Sequence, residues 1–242
     1  MFAVPDNTRA CLYLIPNFIG TLPWEYQFPE HNKHIIRSLR YFIAEDLKAC
    51  RSLLKQAEYP DISQAQIEEY NEHFFDKDIG YLLQPLDAGH SIGLVSEAGA
   101  PVLADPGDDI VRLAHQKNIP VVPLVGASAI LLSVMSAGLN GNNFAFNGYL
   151  PVENYQKIRK IKELEQLSFH KKQSQFFIET PYRNQKLFSL LLQILQSDTL
   201  LSLACNLMND NPFILTKTVA NWKKLPVPGI QKKPCIFGIL KM

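Results

Sequence analysis

A chain of 242 residues that is 47% hydrophobic and 19% charged has the size and composition of a globular protein with one large or two small domains. No apolar run approaches the roughly 20 residues that span a bilayer, and the N-terminus lacks a basic region before a long apolar stretch, so we expect a cytoplasmic protein. The net charge of +1 conceals an asymmetry: residues 1–125 carry 10 basic and 17 acidic side chains, whereas residues 126–242 carry 14 and 6. Two halves of opposite charge favour two domains, and the basic half fits either a polyanionic substrate such as RNA or an ordinary solvated surface.

The first half alternates short apolar runs with helical patterns. We predict helices over residues 32–39, 46–56 and 76–88, the last with Asp76 as a possible N-cap, and a helix to Gln116 capped by Asp108 or Asp109. The predicted strands are residues 12–16, 41–44, 92–95 and 121–125. Continuous apolar strands separated by helices are typical of a mostly parallel sheet with both faces covered.

The second half has strands that lie closer together in the sequence, which predicts a mixed sheet. We expect helices over 128–137, 152–167 and 184–195, and strands over 144–150, 175–179, 200–205, 213–218 and 235–240. The chain is therefore predicted to form two α/β domains, an N-terminal domain of residues 1–125 and a C-terminal domain of residues 126–242.

Three loops at predicted strand ends are rich in small residues: residues 16–20, residues 96–107 (SEAGAPVLADPG) and residues 126–129. In open parallel sheets, ligands bind beyond the carboxyl ends of strands, so these loops could bring a ligand close to the backbone or could be ordinary turns. The P-loop, GxGxxG and GxSxG patterns are absent. The four cysteines are scattered without a CxxC pair and are expected to be small core residues, and no metal site is predicted.

Several sequence blocks occur in a specific order: LYLIP (12–16), AED (44–46), VSEAGAP (95–101), DPG (105–107), VVPL (121–124), AGL (137–139) and GYLP (148–151). With these blocks, the chain resembles the tetrapyrrole methylase superfamily, the class III S-adenosylmethionine-dependent methyltransferases. Within it, the chain is similar to the bacterial enzymes that 2′-O-methylate a cytidine of small-subunit ribosomal RNA. The blocks ETPYR (179–183) and ACN (204–206) are similar to those of a shorter bacterial subfamily.

This resemblance implies two α/β domains with the methyl donor, S-adenosylmethionine, in the cleft between them, and a homodimer. It places donor contacts on small or apolar positions, most of which would offer backbone groups: Pro16, Ala98, Gly99, Ala100, Leu103, Ala104, Asp105, Ser128, Ala129, Ile178, Ala204 and Pro234. Glu97 and Ala100 stand where the ribosomal RNA enzymes usually carry aspartate and threonine.

The chemistry of an alcohol acceptor requires a group that removes its proton as the methyl is transferred. The candidate bases are Glu45, Asp46, Glu97, Asp105 and Glu179. Because Asp105 lies within the donor loop, it is expected to bind the donor or hold the loop rather than to act as the base. Glu179 and Arg183 are predicted to hold the acceptor, or else to form a structural ion pair at a strand-to-helix corner. Asn206 could orient an acceptor hydroxyl or satisfy backbone groups.

A basic stretch in the second half would contact phosphates in an RNA enzyme, or would be the solvated face of a helix: Lys157, Arg159, Lys160, Lys162, Lys171 and Lys172. The sequence therefore predicts an S-adenosylmethionine-dependent methyltransferase acting on RNA, on a ribose 2′-oxygen of ribosomal RNA by resemblance. Two alternatives stay open: a methylase of a tetrapyrrole or other small metabolite, and a non-catalytic S-adenosylmethionine-binding module.

Overall fold

The computed structural model describes residues 9–71 and 78–242. The chain divides into two units, Met1–Ser128 and Ala129–Met242, each built around its own sheet. The predicted α/β class, with one parallel and one mixed sheet, is confirmed. Within the described residues, no helix has both the length and the apolar character needed to cross a bilayer.

The first unit contains, in its described residues, a five-stranded sheet with the order β3-β2-β4-β1-β5, in which every pair of neighbours is parallel. Its strands are β1 (Leu12–Ile15), β2 (Tyr41–Ala44), β3 (Gln66–Glu69), β4 (Ile92–Val95) and β5 (Val121–Pro123). Its helices are α1 (Trp24–Gln27), α2 (His31–Ser38), α3 (Leu47–Gln56), α4 (Gln84–Asp87) and α5 (Asp108–Gln116).

Both faces of this sheet are covered, as the continuous apolar strands predict. Adjacent residues of β2 show this directly: Phe42 packs into the cluster that contains Leu53 of α3, whereas Ile43 packs into the cluster that contains Ile110 of α5. Because side chains alternate along a strand, the helices on opposite faces bury opposite halves of each strand. The carboxyl ends of β1, β4 and β5, which are neighbours in the sheet, therefore open at a common edge.

The second unit contains a five-stranded sheet with the order β6-β7-β10-β8-β9, in which β6 and β7 are parallel and the other neighbours are antiparallel. Its strands are β6 (Phe144–Tyr149), β7 (Ser174–Ile178), β8 (Leu200–Cys205), β9 (Phe213–Thr218) and β10 (Cys235–Leu240). Its helices are α6 (Ala129–Ser136), α7 (Asn154–Lys171), α8 (Asn184–Ile194) and α9 (Val219–Trp222).

Two predictions for the elements require correction or restriction, and one strand was not predicted. Neither Asp108 nor Asp109 caps α5, because the N-cap is Gly107 and no side chain accepts a capping bond there. The edge strand β3 was not predicted, since its sequence QIEE lacks the apolar run used to identify the others. The predicted helix 76–88 begins, with Asp76, outside the described residues, and the described part contains a 3-10 turn (Gly80–Leu83) followed by α4.

Candidate functional site

The loops that follow β1 and β4 are joined by a short antiparallel bridge between Asn17 and Gly99. The Asn17 N–H donates to the Gly99 carbonyl at 2.8 Å, and the Gly99 N–H donates back to the Asn17 carbonyl at 3.1 Å. Gly99 has a φ of 74°, a backbone conformation that glycine adopts without steric cost. The bridge therefore fixes the loop that contains Ala98, Gly99 and Ala100 against the end of β1.

The buried Asn17 side chain fixes the same loop. Its Nδ2 donates to the carbonyls of Ser96 at 3.0 Å and Glu97 at 3.1 Å, and its Oδ1 accepts from the N–H of Phe18 at 2.8 Å. Sequence reasoning identified the loop around Asn17 without assigning this side chain a role. Asn17 could have been singled out from its position. It is a polar residue directly after a buried strand, at the edge where ligands bind in such sheets.

The loop between β4 and α5 combines exposed residues with unusual backbone conformations. Val102 and Ala104 have φ values of 73° and 72°, which is uncommon for alanine and costly for the β-branched valine. Ala98 and Ala104 are exposed, and their N–H groups donate to no acceptor among the described residues. Leu103 between them is 49% exposed. N–H groups without an acceptor, next to short methyl side chains and the apolar side chain of Leu103, fit a ligand that combines polar atoms with an apolar ring.

The third loop approaches the first at Gly126. A Cβ atom at Gly126 would lie 2.3 Å from Cγ of Pro16 and 2.9 Å from Cδ1 of Phe28, so only glycine fits without displacement. The Asn32 Nδ2 donates to the Val125 carbonyl at 2.9 Å and holds the start of this loop. Pro16, predicted to contact the donor, is buried and packs against Gly126. Ser128 is also buried and directly precedes α6, which begins at the predicted contact Ala129.

Asp105 is one of two titratable groups of the 96–107 loop, the other being Glu97. Burial, together with the negative charges of Glu45 and Glu97, raises the pKa of the Asp105 carboxyl to about 7, against the hydrogen bond from the buried Ser96. An acid with a pKa near neutrality exists in both protonation states at physiological pH and can accept or release a proton there. The structure thus places a group with suitable acid–base properties within the predicted donor loop.

Two of the other candidate bases in the first unit already have structural partners. Asp46 is the N-cap of α3 and accepts from the Ala49 N–H at 2.6 Å. Glu45 accepts from the N–H of Glu97 at 2.9 Å, which ties the end of β2 to the loop after β4. The Glu97 side chain is exposed.

In the second unit, strand register brings several predicted site residues to one end of the sheet. Ile178 of β7 and Ala204 of β8 both pair with Ile236 of the intervening strand β10. The Pro234 carbonyl accepts from the Asn206 N–H at 2.9 Å. Ile178, Ala204, Pro234 and Asn206 are therefore brought together at the strand ends, although they are up to 56 positions apart in the chain.

Glu179 lies just beyond Ile178 and forms a buried ion pair that the sequence did not predict. Lys157 of α7, 6% exposed, donates from Nζ to Oε2 of Glu179 at 2.6 Å. The Thr180 N–H donates to Oε1 at 2.8 Å, and Nη1 of Arg183 lies 3.8 Å from the same oxygen. Burial opposes ionisation of Glu179, but the bonds from Lys157 and Thr180 and the positive charges of Lys157 and Arg183 outweigh it and lower the pKa of the carboxyl.

The ion pair with Glu179 contradicts both interpretations of Lys157, as a phosphate contact and as part of the solvated face of α7. The Lys157 side chain is buried, so neither solvent nor a phosphate reaches it. The reason is its position: Lys157, Ile161 and Leu164 follow helical spacing on the buried face of α7. That spacing was the signal available in the sequence. The expected pair of Glu179 and Arg183 forms only at 3.8 Å, and Arg183 remains 45% exposed.

Asn206 adopts a left-handed conformation, with a φ of 60°, in the loop between β8 and β9. Its side-chain Nδ2 donates to the Asn211 carbonyl at 3.2 Å. This bond satisfies a backbone group, which is one of the two roles expected for Asn206. The adjacent residue Cys205 lies opposite Cys235, and both are buried free thiols, as are Cys11 and Cys50. In the described part of the chain, no group of three or more His, Cys, Asp and Glu side chains could hold a metal ion.

Comparison with known proteins identifies relatives described as "Ribosomal RNA small subunit methyltransferase I". No family model matches the chain. It is 34% identical over 177 residues to "Ribosomal RNA small subunit methyltransferase I" of Streptococcus pyogenes serotype M1, covering 73% of this chain and 58% of the relative. The protein of the same description from Bacillus subtilis strain 168 is 33% identical over 186 residues, covering 76% and 59%. That from Escherichia coli O157:H7 is 29% identical over 160 residues, covering 66% and 54%.

The chain spans only between 54 and 59% of the length of these relatives. The similarity nevertheless covers most of the chain and agrees with the α/β architecture of both units. The chain is homologous to the ribosomal RNA small subunit methyltransferase I proteins of the tetrapyrrole methylase family.

Proposed function

We propose that this protein is an S-adenosylmethionine-dependent methyltransferase that acts on RNA, with a ribose 2′-oxygen of small-subunit ribosomal RNA as the acceptor. The observation that carries the proposal is the homology to proteins described as ribosomal RNA small subunit methyltransferases. It is supported by the 96–107 loop, whose small side chains and unbonded N–H groups of Ala98 and Ala104 fit a donor bound through main-chain groups.

Different residues of this loop would contact different parts of the donor. The N–H groups of Ala98 and Ala104 would donate hydrogen bonds to polar atoms of the donor, and Leu103 would cover an apolar part of it. Asn17 and Gly126 would act indirectly, by holding the loops in position. The donor supplies a sulfonium methyl group, and the protein's task is to align the acceptor oxygen with it and to exclude water, which contributes on the order of 7 to 11 kcal/mol.

The acceptor hydroxyl must lose its proton as the new C–O bond forms. Asp105 is suited to receive it, since its raised pKa lies close to the working pH. On the acceptor side, Arg183 retains donors for a substrate anion because its contact with Glu179 is long. The assignments of Ile178, Ala204 and Pro234 to the donor, and of Asn206 to the acceptor, are predictions of the same proposal.

The direct test is calorimetric titration with S-adenosylmethionine and its demethylated product, S-adenosylhomocysteine. We expect both to bind the wild-type protein. Ala98→Glu should weaken binding at least about tenfold, that is by at least about 1.4 kcal/mol, because a long charged side chain would fill the space over the loop. Ala88→Glu, at an exposed position before the start of β4 and thus at the other end of this strand from Ala98, is the matched control and should bind normally.

Absence of binding by the folded wild-type protein would refute the proposal. The acceptor is tested separately by mapping methylated positions in total RNA from a deletion strain and its parent. Loss of one ribose methylation in small-subunit ribosomal RNA is the expected result. Unchanged RNA methylation together with an unmethylated metabolite would instead support the metabolite alternative.

A further inference from the structure

Two loops of the second unit lie side by side at the end of the sheet where Glu179 and Asn206 are found. The Lys232 N–H donates to the Pro181 carbonyl at 3.0 Å. The Asn184 Nδ2, which is buried, donates to the Lys233 carbonyl at 2.6 Å. These bonds connect the turn after β7 to the segment before β10, and they bring the backbone of Arg183 close to that of Lys232 and Lys233. We call these three residues the basic corner.

The positive charge of the basic corner is largely uncompensated. Lys232 and Lys233 are exposed and form no ion pair with any described residue. Arg183 contacts only Glu179, at 3.8 Å. Glu179 already pairs with Lys157 at 2.6 Å, so Lys157 neutralises most of the Glu179 charge and little of it compensates Arg183. The corner therefore offers three cationic side chains to an external anion.

An exposed aromatic ring accompanies these charges. Tyr182, between Pro181 and Arg183, is 74% exposed. Surfaces that bind single-stranded nucleic acids combine cations that follow the phosphate backbone with aromatic rings on which bases stack. The basic corner and Tyr182 have this composition.

Four residues of the basic stretch of α7 are less suitable for the same role. Lys157 is buried against Glu179, and Lys160 pairs with Glu163 at 2.8 Å. Lys171 and Lys172 are exposed, but they lie at the start of β7 rather than at its end. They are therefore separated by the length of a strand from the predicted acceptor-side residues.

We propose that the basic corner binds the phosphate backbone of the substrate RNA, with Tyr182 available to stack on an unpaired base. This inference rests on the proposed function and adds to it the surface that recognises the RNA. Arg183 would thus bind a phosphate, and the buried pair of Lys157 and Glu179 would support the turn that presents it.

The test compares two charge-matched double variants. Lys232→Gln/Lys233→Gln removes two charges from the corner, and Lys171→Gln/Lys172→Gln removes two from the opposite end of β7. Binding to full-length bacterial small-subunit ribosomal RNA and to a poly(U) strand is measured by fluorescence anisotropy between 50 and 200 mM salt. We expect the slope of log K against log salt to become shallower by about 1 to 2 in the corner variant, since each phosphate contact contributes roughly 0.7 to 0.9. The control should keep the wild-type slope.

Three outcomes would overturn the inference: an unchanged slope in the corner variant, an equal loss in both variants, or no binding of either RNA by the wild-type protein. S-adenosylhomocysteine binding is measured on the same preparations. If the wild-type protein fails to bind it, the proposed function fails. If the corner variant binds it normally but keeps the wild-type RNA slope, only the assignment of the corner fails, and an acidic protein partner becomes the better explanation.

Discussion

Asp105 combines a partly buried carboxyl with two neighbouring negative charges, those of Glu45 and Glu97. Its pKa is raised to about 7 in the folded protein, compared with about 4 in an unfolded chain. The folded state therefore holds one more proton than the unfolded state between these values, so this group makes the protein less stable as the pH rises from about 4 to 7. Above pH 7 the loss is complete.

We expect Asp105→Asn to remove this pH dependence, because asparagine cannot ionise. The measurement is the free energy of unfolding by urea at pH 5, 6, 7 and 8, in which the wild-type protein should lose stability relative to the variant as the pH rises. Asp61→Asn is the control. Hydrogen bonds from Ser63 and Gln64 lower the Asp61 pKa, so this residue stays ionised throughout the range. A parallel pH profile for wild type and Asp105→Asn would contradict the prediction.

At the residue scale, the sequence predicted positions better than it predicted partners. The small residues of 96–107 were recognised, but the Asn17 side chain that holds them was not, because its bonds cross about 80 positions of the chain. Lys157 was assigned to a basic surface by its charge. Its helical spacing with Ile161 and Leu164, which places it on the buried face, was the stronger indicator.

At the scale of elements, the contact between the ends of β1 and β5 depends on a glycine, Gly126, which has no side chain to separate them. Gly126→Ala would place a Cβ atom 2.3 Å from Cγ of the buried Pro16, so the backbone of one loop must move. We expect a loss of about 1 to 3 kcal/mol in the free energy of unfolding, the usual cost of overpacking. Gly141→Ala, where a Cβ would meet nothing within 4 Å, is the control. Equal stability of the two variants in urea denaturation would show that the loop adapts freely.

The elements themselves were predictable where burial dominates. The run IGLV of β4 is buried at every position and was recognised as a strand. The edge strand β3 was missed because it is mostly exposed and has only one apolar residue. Its pairing with β2 holds it in the extended conformation that its composition does not predict. The start of α5 was assigned to an acidic cap, whereas Gly107, with a φ of 125°, makes the turn into the helix through backbone conformation.

At the scale of the whole molecule, the two units have separate hydrophobic clusters. Phe42 and Ile43 pack into clusters of the first unit, and Phe177 packs with Leu164 in a cluster of the second. Local opening within one cluster should therefore have little effect on the other. The predicted combination of a parallel and a mixed sheet follows from the spacing of the strands, which is a global pattern of the sequence.

We expect Lys157→Met to reveal this independence. It leaves the Glu179 carboxylate buried without its main partner, at a cost of about 3 to 5 kcal/mol. Hydrogen exchange should become faster in residues 129–242 and remain unchanged in the described part of residues 1–128. Lys160→Met, which removes an exposed pair with Glu163, is the control and should cost less than about 1 kcal/mol.

Faster exchange in both units of Lys157→Met would show that the chain unfolds as a single cooperative body. Replacing both partners, as in Lys157→Met/Glu179→Leu, should recover much of the lost stability, because no unpaired charge then remains buried. Failure of the double variant to recover would assign the loss to packing rather than to charge.

The position of β10 bears on the synthesis of the protein. This strand follows all the others of its sheet in the chain, yet it lies at the centre, between β7 and β8. While the ribosome has released residues only as far as Pro234, β7 and β8 each present an edge without its partner, and such edges pair readily with other chains. The second sheet thus closes only when residues 235–240 have left the exit tunnel, so slower emergence of this strand would prolong the aggregation-prone stage of folding.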